Sequence, residues 1–89
     1  MCRNIRTLHN LDPGTTDDEV RAAAVQYVRK VSGYARPSQA NAAAFDRAVA
    51  EVAAVTERLL AELVTSAPPR DREVDAARAR ERAAVRYAR

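Results

Sequence analysis

Residues 15–33 read TTDDEVRAAAVQYVRKVSG, and their spacing decides the class of the whole chain. Thr16 stands three places before Glu19, the pattern of a capping box in which each residue satisfies a backbone N–H of the other. Asp17 and Asp18 add negative charge where a helix dipole favours it. Val20, Ala24, Tyr27 and Val31 then recur at intervals of three and four, which puts them on one face of a helix. Arg29 and Lys30 complement the C-terminal end, and Gly33 suits the left-handed residue that closes a helix. The stretch predicts a helix over 16–33.

The linker Gly33–Ser38 follows. Pro37 disfavours helix at Arg36, and Ser38 is placed to cap a second helix. That helix is predicted over 38–66, where Ser66-Ala67-Pro68-Pro69 stops it. Its apolar stripe is Phe45, Ala48, Val52, Val55, Leu59 and Leu63, flanked by Val49, Leu60 and Val64. At 1.5 Å per residue such a helix is roughly 40 Å long. The shorter first helix covers only part of it, so a further helix or a second subunit is expected beside it. A third helix is predicted over 70–88, with Asp71, Glu73 and Asp75 at its start. Its face of Val74, Ala77, Ala84, Val85 and Ala88 is weak and is interrupted by Arg78 and Glu81.

The fold class that follows is all-α, a single small helical domain over 1–89. It has a basic N-terminal arm (1–15), an antiparallel helical hairpin and an Ala/Arg-rich C-terminal helix. With one Phe, three Tyr and no Trp, its core must come from Val, Leu and Ala. Alanine favours helix but fills a core poorly. Thin self-burial of this kind is often completed by dimerisation.

Composition narrows the function classes. One cysteine cannot form an intrachain bridge and fits a reducing compartment. No apolar run approaches the roughly 18 residues that cross a bilayer, and no apolar segment follows Arg3 as in a secretory signal. A soluble cytoplasmic protein with no membrane partner is expected. The net charge of +3 is unevenly placed: residues 1–11 carry +2 and residues 70–89 carry +3, while the centre is slightly acidic.

Several blocks carry a resemblance: MCRNIRTL, VQYVRKVSG, PSQANAAAFDRAVAEV and the PPRDRE joint. Together they resemble a family of small bacterial proteins of unknown function that open with MCRNI, over nearly the whole chain. The resemblance implies a complete protein and brings no activity, substrate or catalytic residue. A second resemblance is one of shape. LHNLDPGTTDDEVRAAAVQYVRK, a Pro-containing loop and AAAFDRAVAEVAAVTERLL are similar to a J-domain. The loop reads Tyr34-Ala35-Arg36-Pro37-Ser38, without the His and Asp that flank proline in that family, so stimulation of a chaperone ATPase is not implied.

Three candidate sites remain. The apolar face Phe45, Val52, Leu59 and Leu63 points to a protein partner or a second copy of the chain. Arg3, Arg6, Arg78, Arg82 and Arg86 at the two ends could contact nucleic acid, with affinity falling steeply as salt rises. Acids on the same C-terminal helix offer ordinary i,i+3 and i,i+4 partners for those arginines.

Cys2 and His9, seven apart and flanked by Arg3 and Arg6, could form a thiol or metal site with a lowered thiol pKa. Zinc needs four ligands, and a nucleophile needs an oxyanion site that no glycine-rich turn here supplies. The alternative is that Cys2, Ile5, Leu8 and Leu11 form one apolar side of a segment laid over the hairpin. No cofactor is expected beyond that metal. No enzyme activity is expected either, because helix capping accounts for Asp17, Asp18 and Glu19. The leading expectation is a small helical protein-interaction module, either a homodimer or an accessory subunit.

Overall fold

The computed structural model describes residues 4–87. The elements in chain order are β1 (Leu11–Asp12), α1 (Asp17–Ser32), a 3-10 turn (Gln39–Asn41), α2 (Ala42–Glu62), β2 (Arg70–Asp71) and α3 (Arg72–Tyr87). The chain is mostly helical, with one small two-stranded parallel sheet that the sequence reading did not anticipate. It divides into two compact units. One comprises Met1–His9 with Thr15–Val64, the other Asn10–Gly14 with Thr65–Arg89.

In the first unit α1 begins and ends by local chemistry. The Thr16 Oγ1 accepts from the Glu19 N–H at 3.2 Å, and the Thr16 N–H donates to Glu19 Oε1 at 2.9 Å. Two N–H groups that the helix itself cannot pair are thereby satisfied. At the other end Gly33 adopts φ +81° and donates its N–H to the Arg29 carbonyl at 2.9 Å. A side chain at that φ crowds the following carbonyl, which is why glycine stands there.

Ser38 does not cap α2 with its side chain. It instead closes the 3-10 turn, its carbonyl accepting from the Asn41 N–H at 3.0 Å and its Oγ from Asn41 Nδ2 at 2.9 Å. The α-helix proper runs from Ala42 to Glu62, and Leu63 is already extended at φ −68°, ψ 135°. It is thus about 31 Å long, not 40 Å. The β-branched pair Val64-Thr65 and the prolines beyond favour extended backbone, and the helix yields before reaching them.

The core of this unit is narrow. Ala24 and Val28 of α1 meet Val49 of α2, and Val25, Phe45, Ala48, Val52 and Ala53 pack around them. Val20 is buried as well. The buried stripe of α1 is therefore Val20, Ala24 and Val28; Tyr27 and Val31, expected on the same face as Val20 and Ala24, are exposed. Alanine at position 24 lets the helices approach closely but contributes little apolar area, so few side chains are sealed from water. Residues 4–8 are tied to α1 and its N-terminal approach. The Asn4 N–H donates to Gln26 Oε1 at 2.8 Å, Arg6 pairs with Glu19 at 2.9 Å, and the Thr15 hydroxyl donates to the Leu8 carbonyl. Among the described residues of the arm Leu8 is buried while Ile5 is exposed; Cys2, placed on the same apolar side by its spacing, lies outside the described residues.

In the second unit β1 and β2 pair in register, Leu11 with Arg70 and Asp12 with Asp71. Asn10 sits in the left-handed region at φ +59°. Asparagine tolerates that conformation because its short amide can bond locally. Its Nδ2 donates to the Ala67 and Pro68 carbonyls, and its own carbonyl accepts from the Arg70 N–H at 2.8 Å. The Asp12–Pro13 peptide is cis. Asp71 starts α3, its Oδ1 accepting from the N–H groups of Glu73 and Val74. Arg70 pairs with Asp75 across the first turn. No described residue of α3 is buried.

Candidate interaction surface

The residues expected to form one interaction face divide into two groups. Phe45 and Val52 pack against the core of the first unit, and α1 is their partner. Leu59 and Leu63 are left outside it. Together with Val55 on the same helix and Tyr27 and Val31 on α1, they are between 43% and 69% exposed. α1 has 16 residues and α2 has 21. The last turns of α2 extend past what α1 seals.

Along one side of this pair runs a groove of about 390 Å³, lined by Tyr27 from α1 and by Glu51, Val52, Val55 and Thr56 from α2. Its floor is aliphatic, and the Thr56 hydroxyl is already spent on the Val52 carbonyl at 2.7 Å. Such a surface can do little chemically. What its described lining offers is apolar area beside the Glu51 carboxylate. A side chain entering it gains from leaving water. Tyr27 and Val31 could have been placed outside the core from sequence: Val28 lies four residues after Ala24, and choosing it turns the stripe away from them.

The other candidates fall elsewhere. Arg6 is engaged with Glu19 in the first unit. Arg78, Arg82 and Arg86 are exposed on α3 and form no ion pair among the described residues. Arg86 lies over the Tyr87 ring at 5.4 Å. Cys2 and Arg3 lie outside the described residues, so the structure places neither the thiol nor its flanking cation. His9 is half-buried, and among the described residues no group of three His, Cys, Asp or Glu is arranged to hold a metal. A second hollow, of about 560 Å³, lies on α1 beside Asn4 and is bordered by Asp18, Arg21, Gln26, Arg29 and Lys30. Among the described residues no helix is long and apolar enough to cross a membrane.

The sequence of residues 1–78 matches the model of DUF2277, an uncharacterized conserved protein family. The chain belongs to that family. No curated protein and no solved structure matches the chain. The match runs through the arm, α1, α2 and the start of α3, so the groove residues Tyr27, Glu51, Val52, Val55 and Thr56 all lie inside this DUF2277 region.

Proposed function

We propose that this DUF2277 protein is a cytoplasmic protein-interaction module, a homodimer or an accessory subunit of a larger complex, built on an antiparallel hairpin of α1 and α2. The observation that supports it is the exposed apolar surface of Tyr27, Val31, Val55, Leu59 and Leu63 beside the groove. Several large apolar side chains left exposed on a chain this small favour a place where another surface belongs. The single cysteine suits a reducing compartment.

A photo-crosslinking residue at position 59 tests the reading, with the same residue at Ala43, exposed on α2, as the control. The expected result is a protein adduct from position 59, in cells and with purified protein, and none from position 43. A strictly monomeric protein with no adduct at position 59 overturns the reading.

A second reading is supported by α3. Its Arg78, Arg82 and Arg86 are exposed and unengaged by acids among the described residues, as a phosphate-contacting helix requires. On that reading a fluorescent duplex or RNA binds at low salt. The triple change Arg78→Gln, Arg82→Gln, Arg86→Gln then flattens the salt dependence by about three phosphates' worth of slope. Salt-independent or absent binding rejects it.

A further inference from the structure

The charges beside the apolar surface of α2 follow a pattern that the fold of one chain does not use. Along one flank of the helix stand Arg47, Glu51, Arg58 and Glu62, in the order plus, minus, plus, minus, and all four are exposed. At about 100° per residue they lie within one narrow sector next to Val55. None of them joins an ion pair among the described residues. Within the helix each arginine precedes its glutamate by four, which is the weaker order for an i,i+4 pair.

We infer that this flank and the groove beside it are the contact between two copies of the chain, with α2 packed antiparallel on α2 about a two-fold axis near Val55. The inference rests on the interaction-module reading and names its partner. Antiparallel packing brings equivalent flanks together, so residues whose numbers add to about 110 face each other. Glu51 then meets Arg58 of the second copy, and Arg47 meets Glu62 of the second copy. The two-fold repeats each pair, giving four opposite-charge contacts. In parallel packing each flank would instead meet the opposite flank of the second copy, and these four charges would lose their partners, so the pattern selects the direction as charges flanking a helical seam do.

The apolar residues agree with the same axis. Val55 faces Val55, and Leu59 of one copy falls opposite Val52 of the other, where the groove of Tyr27, Glu51, Val52, Val55 and Thr56 lies open. Leu59 is 53% exposed in the single chain, and insertion there buries it. A two-fold contact of this kind uses one patch twice and closes on itself, the commonest arrangement of soluble oligomers.

The test is a charge exchange read by sedimentation or native mass spectrometry, with circular dichroism showing that each variant keeps its helices. Glu51→Arg alone replaces two attractions per dimer by two repulsions and is expected to weaken dimerisation about tenfold, as is Arg58→Glu alone. The double variant Glu51→Arg, Arg58→Glu is expected to recover most of the affinity. The acidic variant Arg47→Glu, Arg58→Glu and the basic variant Glu51→Arg, Glu62→Arg are each expected to be monomeric and to form a heterodimer when mixed. A monomeric wild type that still crosslinks a different protein through position 59 overturns the self-pairing and leaves the interaction reading standing. A monomer without any adduct overturns both. A dimer indifferent to all four charge changes overturns the antiparallel contact, and the response to Leu59→Asp then shows whether the apolar surface is used at all.

Discussion

The guanidinium of Arg72 holds the backbone at Pro13: Nε donates to the Pro13 carbonyl at 2.6 Å, and an Nη donates to the Gly14 carbonyl at 2.9 Å. A residue at the first position of α3 thus fixes the loop that follows β1, nearly sixty residues earlier in the chain. Two donors in a planar fork meet two successive carbonyls, a geometry that a lysine ammonium cannot copy.

Replacing Arg72 with Ala is therefore expected to loosen the second unit. Hydrogen bonds from charged donors are strong, but this one is half-exposed, so a loss of about 1–2 kcal/mol in that unit is expected. Arg72→Lys should recover less than half of it. Hydrogen exchange at the amides of Leu11, Asp12, Arg70 and Asp71 checks this. Unchanged exchange at those four sites would show that strand pairing stands without the fork.

Thr16 and Glu19 lead to a prediction about the start of α1. Thr16→Ala removes the hydroxyl that accepts from the Glu19 N–H and is expected to cost about 1 kcal/mol. Thr16→Ser should be close to neutral. Glu19→Ala should cost more than Thr16→Ala, because the same carboxylate also holds Arg6 and with it the arm. Urea denaturation followed by helical circular dichroism orders the three variants. Equal stability for all three would mean that α1 does not depend on its cap.

At Val49 the prediction concerns the core. Val49 is 2% exposed and sits where α1 and α2 meet. Val49→Ala removes two methyl-sized groups from a cluster with little area to spare, and about 2 kcal/mol is expected from transfer plus the space left behind. Val64, also a valine but 95% exposed, should tolerate alanine within about 0.5 kcal/mol. Comparable losses at the two sites would contradict the packing.

The two glycines separate backbone strain from crowding. Neither Gly14 nor Gly33 has an atom within 4 Å of where a Cβ would stand, yet only Gly33 has positive φ. Gly33→Ala is therefore expected to cost about 1–2 kcal/mol through conformation alone. Gly14→Ala should be near neutral. Thermal melts of the two variants decide it, and a larger loss at Gly14 would count against the described turn.

What the sequence could disclose follows the range of the forces involved. The ends of α1 rest on contacts three or four residues apart, so Thr16, Glu19 and Gly33 could be read directly. The end of α2 depends on a balance between good helix formers and Val64-Thr65, which the unbroken stripe to Leu63 concealed. β1 and β2 are two residues each, too short to show an alternating pattern, and they pair across about sixty residues. For the surface, the stripe of Phe45, Val52, Leu59 and Leu63 read as one face because periodicity records orientation and not which part a shorter neighbour covers. That Arg47, Glu51, Arg58 and Glu62 form no ion pair among the described residues depends on what packs beside them, which spacing alone does not record.

The last prediction concerns α3. It spans 16 residues and buries none of them, and isolated helices of that length are marginal in water. Its first turn is held by Asp71 at the cap and by the Arg70–Asp75 pair, while among the described residues no ion pair holds Ala83–Tyr87. Exchange protection is therefore expected to fall along the helix, from measurable at Val74 and Asp75 to almost none beyond Glu81. In the same experiment Val28 and Val49 should be the slowest amides. Binding a duplex through Arg78, Arg82 and Arg86 would raise protection in the second half of α3 and leave Val49 unchanged. Uniform protection along α3 in the free protein would mean that another surface already covers it, and Arg82 would then not be available to a phosphate.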